Sequence, residues 1–480
     1  DIRELRMKLF GQELSVLRNQ ALALLLNIAN WARVSLLPPP LQPKRLPPPR
    51  GDKGPSKVCV CIPGPGGLDQ LQFTDIPGQA TVGYNLPGLN SPFVSTDAAD
   101  AVVFAPTHLL VQTEFFSCNY ADICIRWGLY ESALRYVGWP IVPGFDFCGR
   151  VIWAGTDTGY HEGDRVFGFT MFGAYSSRIL VPAAQVRLVP THLDSASAAA
   201  LPAVAGTALH ALNLAGGWSP PSAHSSVPSP SPQKPHLLLN NKAVLIHSAS
   251  GGVGSLLVQV CKLAGYSPVV GVVGGAHKIA HCYRMGADVV LCKAAIRGGG
   301  GAKGGSDGGS SGSSERSISS GDGCGTGSGD LSTEIMAASP TGYTAIFDAN
   351  GVDTLAQSFD QLAQNGRLII YGFHSNLPLG VHALSPMRWL RMAWGLLSMP
   401  RFDPMAMVLE SKAVLGFNLS FFSHEKQLIA QYLDQILAWA EGGLITVGEV
   451  TVLQMADIGK AHELIQSGQS VGKIVVRCPA

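Results

Sequence analysis

Near the N-terminus apolar residues recur at helical spacing: Leu14, Leu17, Ala21, Leu24, Leu25, Ile28, Ala32 and Leu36. Arg18, Asn27, Asn30 and Arg33 fall largely on other faces. The pattern predicts an amphipathic helix that docks on its own protein or a partner, or rests on a membrane surface. Pro38–Pro55 is proline-rich and reads as a linker. From Lys57 to about Val189 short extended runs alternate with glycine and proline turns, predicting strands at Lys57–Ile62, Leu109–Thr113, Gly149–Trp153, Arg165–Phe169 and Ser177–Val181. From about Ala196 helical and extended patterns alternate. Strands are predicted at Ala243–His247, Val269–Val273, Val289–Leu291, Ala345–Asp348 and Arg367–Tyr371, which implies a doubly wound parallel sheet. Gln427–Ala440 reads as an amphipathic helix and Val471–Val476 as a last strand. Ser219–Pro235 (Ser/Pro-rich) and Gly298–Gly329 (Gly/Ser-rich) cannot bury enough apolar surface to offset their ordering entropy, and are expected to be mobile loops. The expected organisation is therefore residues 1–56, helix and linker; 57–192, a β-rich domain; 193–403, a cofactor domain with inserts near 219–235 and 298–329; and 404–480, a return to the β-rich domain.

The strand Ala243–His247 runs almost directly into Ala249-Ser250-Gly251-Gly252-Val253-Gly254, and an apolar helical pattern follows. Strand, glycine turn and helix form the start of a dinucleotide-binding βαβ unit, with Ala249 in the first glycine position. Gly251 lets the backbone approach a pyrophosphate. The helix start offers free N–H groups and the positive end of its dipole, and Gly254 lets the helix pack closely on the strand. The alternative is a glycine-rich turn in an unrelated α/β domain. NAD-preferring units carry an acid about twenty residues further on, for the ribose 2′-OH. Here the second strand ends in Val273-Gly274-Gly275-Ala276-His277-Lys278, with no acid. Lys278 is a candidate for a 2′-phosphate and favours NADPH over NADH. The plainer reading makes it a solvated lysine at a helix start.

Composition narrows the class. The 480 residues allow two or three domains, and 46% hydrophobic against 14% charged residues allow a large core. A net charge of +1 gives no electrostatic case for nucleic acid. The ten cysteines include no CxxC and read as reduced intracellular thiols. A cytoplasmic location is expected, with a plastid or mitochondrial address left open by the N-terminal helix. No run of eighteen apolar residues predicts a membrane span. The chain begins with Asp rather than Met, so targeting information is expected to lie outside it.

Further motifs follow one another between about Lys57 and Arg477. They are Asn119-Tyr120-Ala121-Asp122 with Arg126-x-Gly128-Leu129-Tyr130, Pro143-Gly144-Phe145-Asp146, Gly163-Asp164-Arg165-Val166, Thr207-Ala208, Gly286-Ala287-Asp288, Gly366-Arg367, Gly416-Phe417-Asn418-Leu419 and Val471-Gly472-Lys473. In this combination the chain resembles the medium-chain dehydrogenase/reductase superfamily, in its zinc-free quinone oxidoreductase branch, close to the vesicle amine transport protein homologues. The resemblance implies an α/β fold, with a GroES-like β-rich catalytic domain and a Rossmann doubly wound cofactor domain. It also implies a homodimer through edge pairing of the cofactor sheets. By the same resemblance Ser250, Gly251, Gly252, Val253 and Gly254 bind the cofactor. Lys293 stands where relatives carry a Tyr or His that contacts it. Gly372, Phe373, Phe417 and Asn418 line its nicotinamide half. Tyr130 and Asn119 are the implied catalytic residues in the cleft, Tyr130 stabilising the acceptor oxygen as charge develops. Their plainer readings are a half-buried tyrosine packed on Gly128 and a turn-forming asparagine. Asp122 is expected to fix its loop and Phe145 to form an apolar wall. Cys124 replaces a tyrosine that relatives often carry.

Zinc members of this superfamily place a Cys three residues before the aspartate and a Gly-His-Glu after the next strand. Asn119 and Phe145 stand at those positions here, so no metal is expected. Alcohol oxidation is difficult without a Lewis acid. Hydride transfer to a quinone or an α,β-unsaturated carbonyl relies mainly on proximity and orientation. The expected activity is therefore zinc-independent, NADPH-dependent reduction of a quinone or enone, with an enoyl thioester reductase as the alternative. A different class is a catalytically weak NADPH-binding scaffold or regulatory protein that contacts membranes through the N-terminal helix.

Overall fold

The computed structural model describes residues 58–75, 93–95, 102–219, 242–294, 330–374, 394–395, 397–422 and 424–479. The helix expected at Leu14–Leu36, the linker after it, and all but the first residue of the two low-complexity inserts lie outside these residues.

Two sheets carry the fold, and the chain visits the first of them twice. The strands before the glycine turn are β1 (Val58–Cys61), β2 (Gln72–Asp75), β3 (Phe93–Ser95), β4 (Val102–Phe104), β5 (His108–Cys118), β6 (Asp146–Ala154), β7 (Arg165–Phe169), β8 (Arg178–Pro182) and β9 (Val186–Leu188). Those after it are β10 (Val244–His247), β11 (Val269–Val273), β12 (Val289–Cys292), β13 (Tyr343–Asp348), β14 (Leu362–Ile370) and β15 (Ala413–Gly416); β16 (Val450–Gln454) and β17 (Lys473–Arg477) close the chain. The helices used below are α1 (Tyr120–Arg126), α2 (Glu131–Tyr136), α3 (Pro202–Leu214), α4 (Gly252–Leu263), α5 (Pro404–Glu410) and α6 (Lys426–Glu441).

The β-rich sheet has the order β16-β17-β5-β6-β7-β9, with β8 also paired to β5. Its centre joins distant parts of the sequence, because β17 lies antiparallel to β5 with Ile474 opposite Cys118. The cofactor sheet has the order β12-β11-β10-β13-β14-β15, and every pair is parallel. That is the doubly wound order, with its crevice where the direction of winding reverses, beside β10. Val244–His247 and Val269–Val273 are wholly buried. Both faces are covered: Val244 and Ile246 pack into the core beneath α3, α4 and α6, and Leu245 packs into the opposite core with Ile335.

Two departures from the expected pattern bear on the arrangement of the sheets. A sixth strand, β15, extends the cofactor sheet to Gly416, past the boundary expected at residue 404. Three of its four residues are half-buried and Gly416 is exposed, so they show neither a long apolar run nor two full alternations. β5 runs for eleven residues instead of five, because burial on both faces hides its period-2 alternation.

Candidate functional site

The glycine turn starts with strain. Ser248 follows β10 with a left-handed φ of 56°, and its hydroxyl donates to Asn350 Oδ1 at 2.9 Å. The Gly251 amide donates to the Ser248 carbonyl at 3.0 Å and closes the turn. Gly251 caps α4 with extended backbone, and the first intrahelical bond runs from Ser255 N to Gly251 O at 2.8 Å. The amides of Gly252, Val253 and Gly254 are therefore first-turn donors available to an anion. A Cβ on Gly254 would lie 2.3 Å from the Ser248 carbonyl oxygen, so glycine is required there for the helix to sit on the strand. A Cβ on Gly251 would meet only that oxygen, at an ordinary 3.4 Å. Ala249 fits the first glycine position because Gly271 on β11 makes room: a Cβ on Gly271 would lie 2.9 Å from the Ala249 methyl.

The C-terminal strand docks on this turn. Gly472 N donates to Ser250 O at 3.0 Å, beside a bridge between Gly251 and Gly472. Lys473 follows, and its ammonium reaches the other side of the cleft. Its Nζ donates to Asn119 Oδ1 at 2.5 Å and to the Cys118 carbonyl at 3.3 Å, and lies 3.7 Å from Asp146 Oδ2. Asp146 is fully buried and accepts from Asn119 Nδ2 at 2.8 Å, from the Ser117 hydroxyl and from Ala203 N at the start of α3. Burial lowers the pKa of Lys473, with Asp146 opposing. Asn119 is thus a bridge between a buried cation and a buried carboxylate.

Tyr130 stands at the start of α2, with its ring edge-on to Phe145 and Phe172. Its Oη donates to Asn418 Oδ1 at 3.0 Å, and Ser420 donates to the same oxygen from both its amide and its hydroxyl. Burial raises the pKa of the phenol well above its ordinary range, so it remains a proton-bearing donor at neutral pH. Phe145 is buried against it and forms an apolar wall. Cys124, close by, has its thiol pushed up to about 12 by burial and then by Asp122, so it is not a nucleophile.

Asp122 ties α1 to the neighbouring loop by accepting from Asn119 N at 2.8 Å and Gly144 N at 2.9 Å. Burial pushes its carboxyl up to about 7, against those two amides and Lys473. Between about pH 4 and pH 7 the folded protein therefore keeps a proton that the unfolded chain has released. The stability this group contributes is greatest below about pH 4 and is lost as pH rises through about 7. Asp122→Asn should flatten the decline in Tm between about pH 5 and pH 8. Thermal melts of both proteins across that range would check it, and equal slopes would show that Asp122 titrates elsewhere.

Other expected cofactor residues gather at the C-terminal ends of the cofactor strands. Lys278 is buried, not solvated, and its Nζ donates to the Gly468 carbonyl at 2.6 Å. Lys293 follows β12, and its charge bears on His247 and His374. Burial pushes His374 down to about 4, with Asp348 opposing and Lys293 assisting, and its ring centroid lies 4.0 Å from that of Tyr120. Gly372 passes close to Ala349, where a Cβ would lie 2.8 Å from the carbonyl oxygen. Phe373 is 43% exposed. Phe417 stacks on Tyr371 and meets His210 edge-on at 4.5 Å. Asp146 and Lys473 lie within sequence motifs, but nothing in either segment marks them as a pair, and it is the fold that brings them together.

The family descriptions "Alcohol dehydrogenase GroES-like domain" and "Zinc-binding dehydrogenase" match residues 105–191 and 328–476. The chain belongs to the medium-chain dehydrogenase/reductase superfamily. Among relatives in the superfamily, it is 24% identical to the human synaptic vesicle membrane protein VAT-1 homolog over 419 residues, covering 87% of this chain and 86% of that protein. It is 23% identical to a probable quinone oxidoreductase of Schizosaccharomyces pombe over 381 residues, covering 78% of this chain and 90% of that protein. The fold is shared with the Escherichia coli quinone oxidoreductase solved in complex with NADPH, with a TM-score of 0.58, 19% identity, and coverage of 88% of this chain and all (100%) of that one.

The zinc named in one description does not fit the residues at the superfamily's zinc positions. Asn119 is engaged by Lys473 and Asp146, Phe145 offers no donor atom, and an ammonium already stands beside the carboxylate. Among the described residues no group of three or more His, Cys, Asp or Glu side chains is placed to hold a metal, and no helix is long and apolar enough to cross a membrane.

Proposed function

We propose that the protein is a zinc-independent, NADPH-dependent oxidoreductase that transfers hydride to a quinone or an α,β-unsaturated carbonyl. The observation that carries this reading is the cleft itself. A glycine turn shaped for a pyrophosphate is joined through Gly472 and Lys473 to a buried polar cluster, and the Tyr130 hydroxyl is held by Asn418, itself placed just beyond β15. Bound NADPH supplies the hydride. The amides of Gly252, Val253 and Gly254 hold its pyrophosphate, and the cations of Lys278 and Lys293 favour a 2′-phosphate over a free hydroxyl. Gly372, Phe373 and Phe417 border the nicotinamide half. Phe145 and Phe172 keep water from the reacting face, and Tyr130 turns its O–H from Asn418 to the acceptor oxygen as charge builds there. Solvent supplies the last proton.

The test is loss of NADPH absorbance with a small quinone and, separately, with an enone, using NADH and a chelator as controls. The expected result is rapid oxidation of NADPH that is insensitive to chelator and slower with NADH. NADPH binding without turnover would replace this reading with a scaffold. Turnover of an enoyl thioester alone would move it to the thioester class. Tyr130→Phe should lower kcat about a hundredfold and leave the Kd for NADPH unchanged. An unchanged kcat would remove Tyr130 from the reaction.

The homodimer reading rests on β15. Among the described residues it is an edge strand of the parallel sheet, and α5, which precedes it in the chain, exposes Met405, Val408 and Leu409. A second copy pairing edge to edge would cover both. Sedimentation should show a dimer for the native chain and a monomer for Val408→Asp; a native monomer would refute it.

A further inference from the structure

The hydroxyl of Tyr130 shares its acceptor. Asn418 caps the short helical turn Leu419–Phe421 that follows β15, and its side-chain oxygen accepts from Ser420 N at 3.1 Å. That bond fixes the side chain, and two hydroxyls converge on the same oxygen: Ser420 Oγ at 2.8 Å and Tyr130 Oη at 3.0 Å. A carbonyl oxygen has two lone pairs, so three donors crowd one acceptor. Ser420 is held in turn from its far side. It is buried, and its Oγ lies 2.6 Å from that of Ser132, a fully buried residue of α2. The one hydroxyl proton of Ser420 goes to Asn418, so Ser132 is the donor of the serine pair. A chain of hydrogen bonds thus leaves α2 at Ser132, reaches the end of the cofactor sheet at Ser420 and Asn418, and returns to the start of α2 at Tyr130.

We propose that Ser420 is a positioning residue that frees Tyr130 for the acceptor. The inference rests on the reductase reading above and deepens it. When Tyr130 turns its O–H toward a developing oxyanion, Asn418 Oδ1 loses a donor. A carbonyl left unpaired in the protein interior would hold the phenol back. Here the amide and the hydroxyl of Ser420 occupy both lone pairs, so the departing phenol leaves no unsatisfied oxygen behind. Ser420 acts through Asn418 and Tyr130 and does not touch the acceptor.

The first test needs no turnover. In the full chain with tyrosine isotope-labelled at Cζ, the Tyr130 resonance is the one lost in Tyr130→Phe. Ser420→Ala should move that resonance, because Asn418 then takes a stronger bond from the phenol. Ser132→Ala breaks the serine pair but leaves the bond from Ser420 to Asn418, so it should leave the resonance in place. The second test is turnover of a quinone with NADPH. Ser420→Ala should lower kcat about tenfold with the acceptor KM and the Kd for NADPH unchanged, and Ser420→Thr, which keeps the hydroxyl, should restore it. Ser132→Ala should keep kcat within about twofold of the native value, which separates positioning from the loss of a buried bond. In the Tyr130→Phe background Ser420→Ala should cost nothing further. Melting temperatures above that of the assay would show that the variants are folded. If Ser420→Ala does not fold, Ser420→Cys, of nearly the same size and with a weak donor, takes its place. The proposal fails if the resonance does not move, if the folded variant turns over normally, or if it loses as much activity in the Tyr130→Phe background as in the native one. A native chain that binds NADPH but reduces no acceptor would overturn the reductase reading instead. The resonance alone would then decide whether Ser420 and Tyr130 compete for Asn418.

Discussion

Lys473→Met is expected to destabilise the protein by about 3 kcal/mol, one of the two largest effects we foresee, and to disorder the acceptor side of the cleft. The argument begins with burial. Asp146 is fully buried and Lys473 is 3% exposed, so neither charge is compensated by water. The pair is separated by 3.7 Å, with Asn119 bonded to both. As a net contributor to stability such a pair is worth little, because both ions were desolvated to make it. Removing one partner is different: the remaining carboxylate stays buried without a cation. Asp146 would keep its bonds from Ser117, Asn119 and Ala203, which places the cost at the lower end of the usual range for a broken buried pair. Denaturant unfolding would measure the loss. The double variant Asp146→Asn with Lys473→Met should recover much of it, since it removes both charges. If the double variant is as unstable as the single, packing of the lysine stem rather than charge is responsible.

That pair also shows what one sequence can and cannot reveal. Elements made by neighbours were legible. The run Val244–His247, the turn at Gly251 and the apolar helix after it lie within about twenty residues, and local geometry requires each in turn. The packing role of Gly254 followed from the same stretch, which also carries the proposal that Gly251 faces a pyrophosphate. Contacts made by the return of the chain were not legible. Lys473 meets Asn119 across 354 positions, and Tyr130 meets Asn418 across 288. Each is an ordinary polar residue in its own segment. Only the pairing of β17 with β5, and the extension of the cofactor sheet by β15, bring these partners together. Lys278 illustrates a third case. Its place after β11 was visible, but its burial and its bond to Gly468 depend on the turn before Lys473.

The second large effect separates two glycines that the sequence motif treats alike. Gly254→Ala is expected to cost about 3 kcal/mol of stability, because the new methyl would meet backbone: the Ser248 carbonyl oxygen at 2.3 Å and the Ala249 Cα at 2.7 Å. Neither atom can swing aside as a flexible side chain would, so α4 has to lift from β10. Gly251→Ala is expected to change stability by less than about 0.5 kcal/mol. Its backbone has φ −80° and ψ 172°, which alanine adopts freely, and its Cβ would have one ordinary contact. The protein alone gives no reason for glycine at position 251. If the reason is a pyrophosphate lying against the turn, Gly251→Ala should weaken NADPH at least about tenfold while melting like the native chain. Paired melts and NADPH titrations of the two variants decide the matter. Normal NADPH binding by Gly251→Ala would mean that the turn packs the helix and holds no phosphate, and the proposed activity would fall with it.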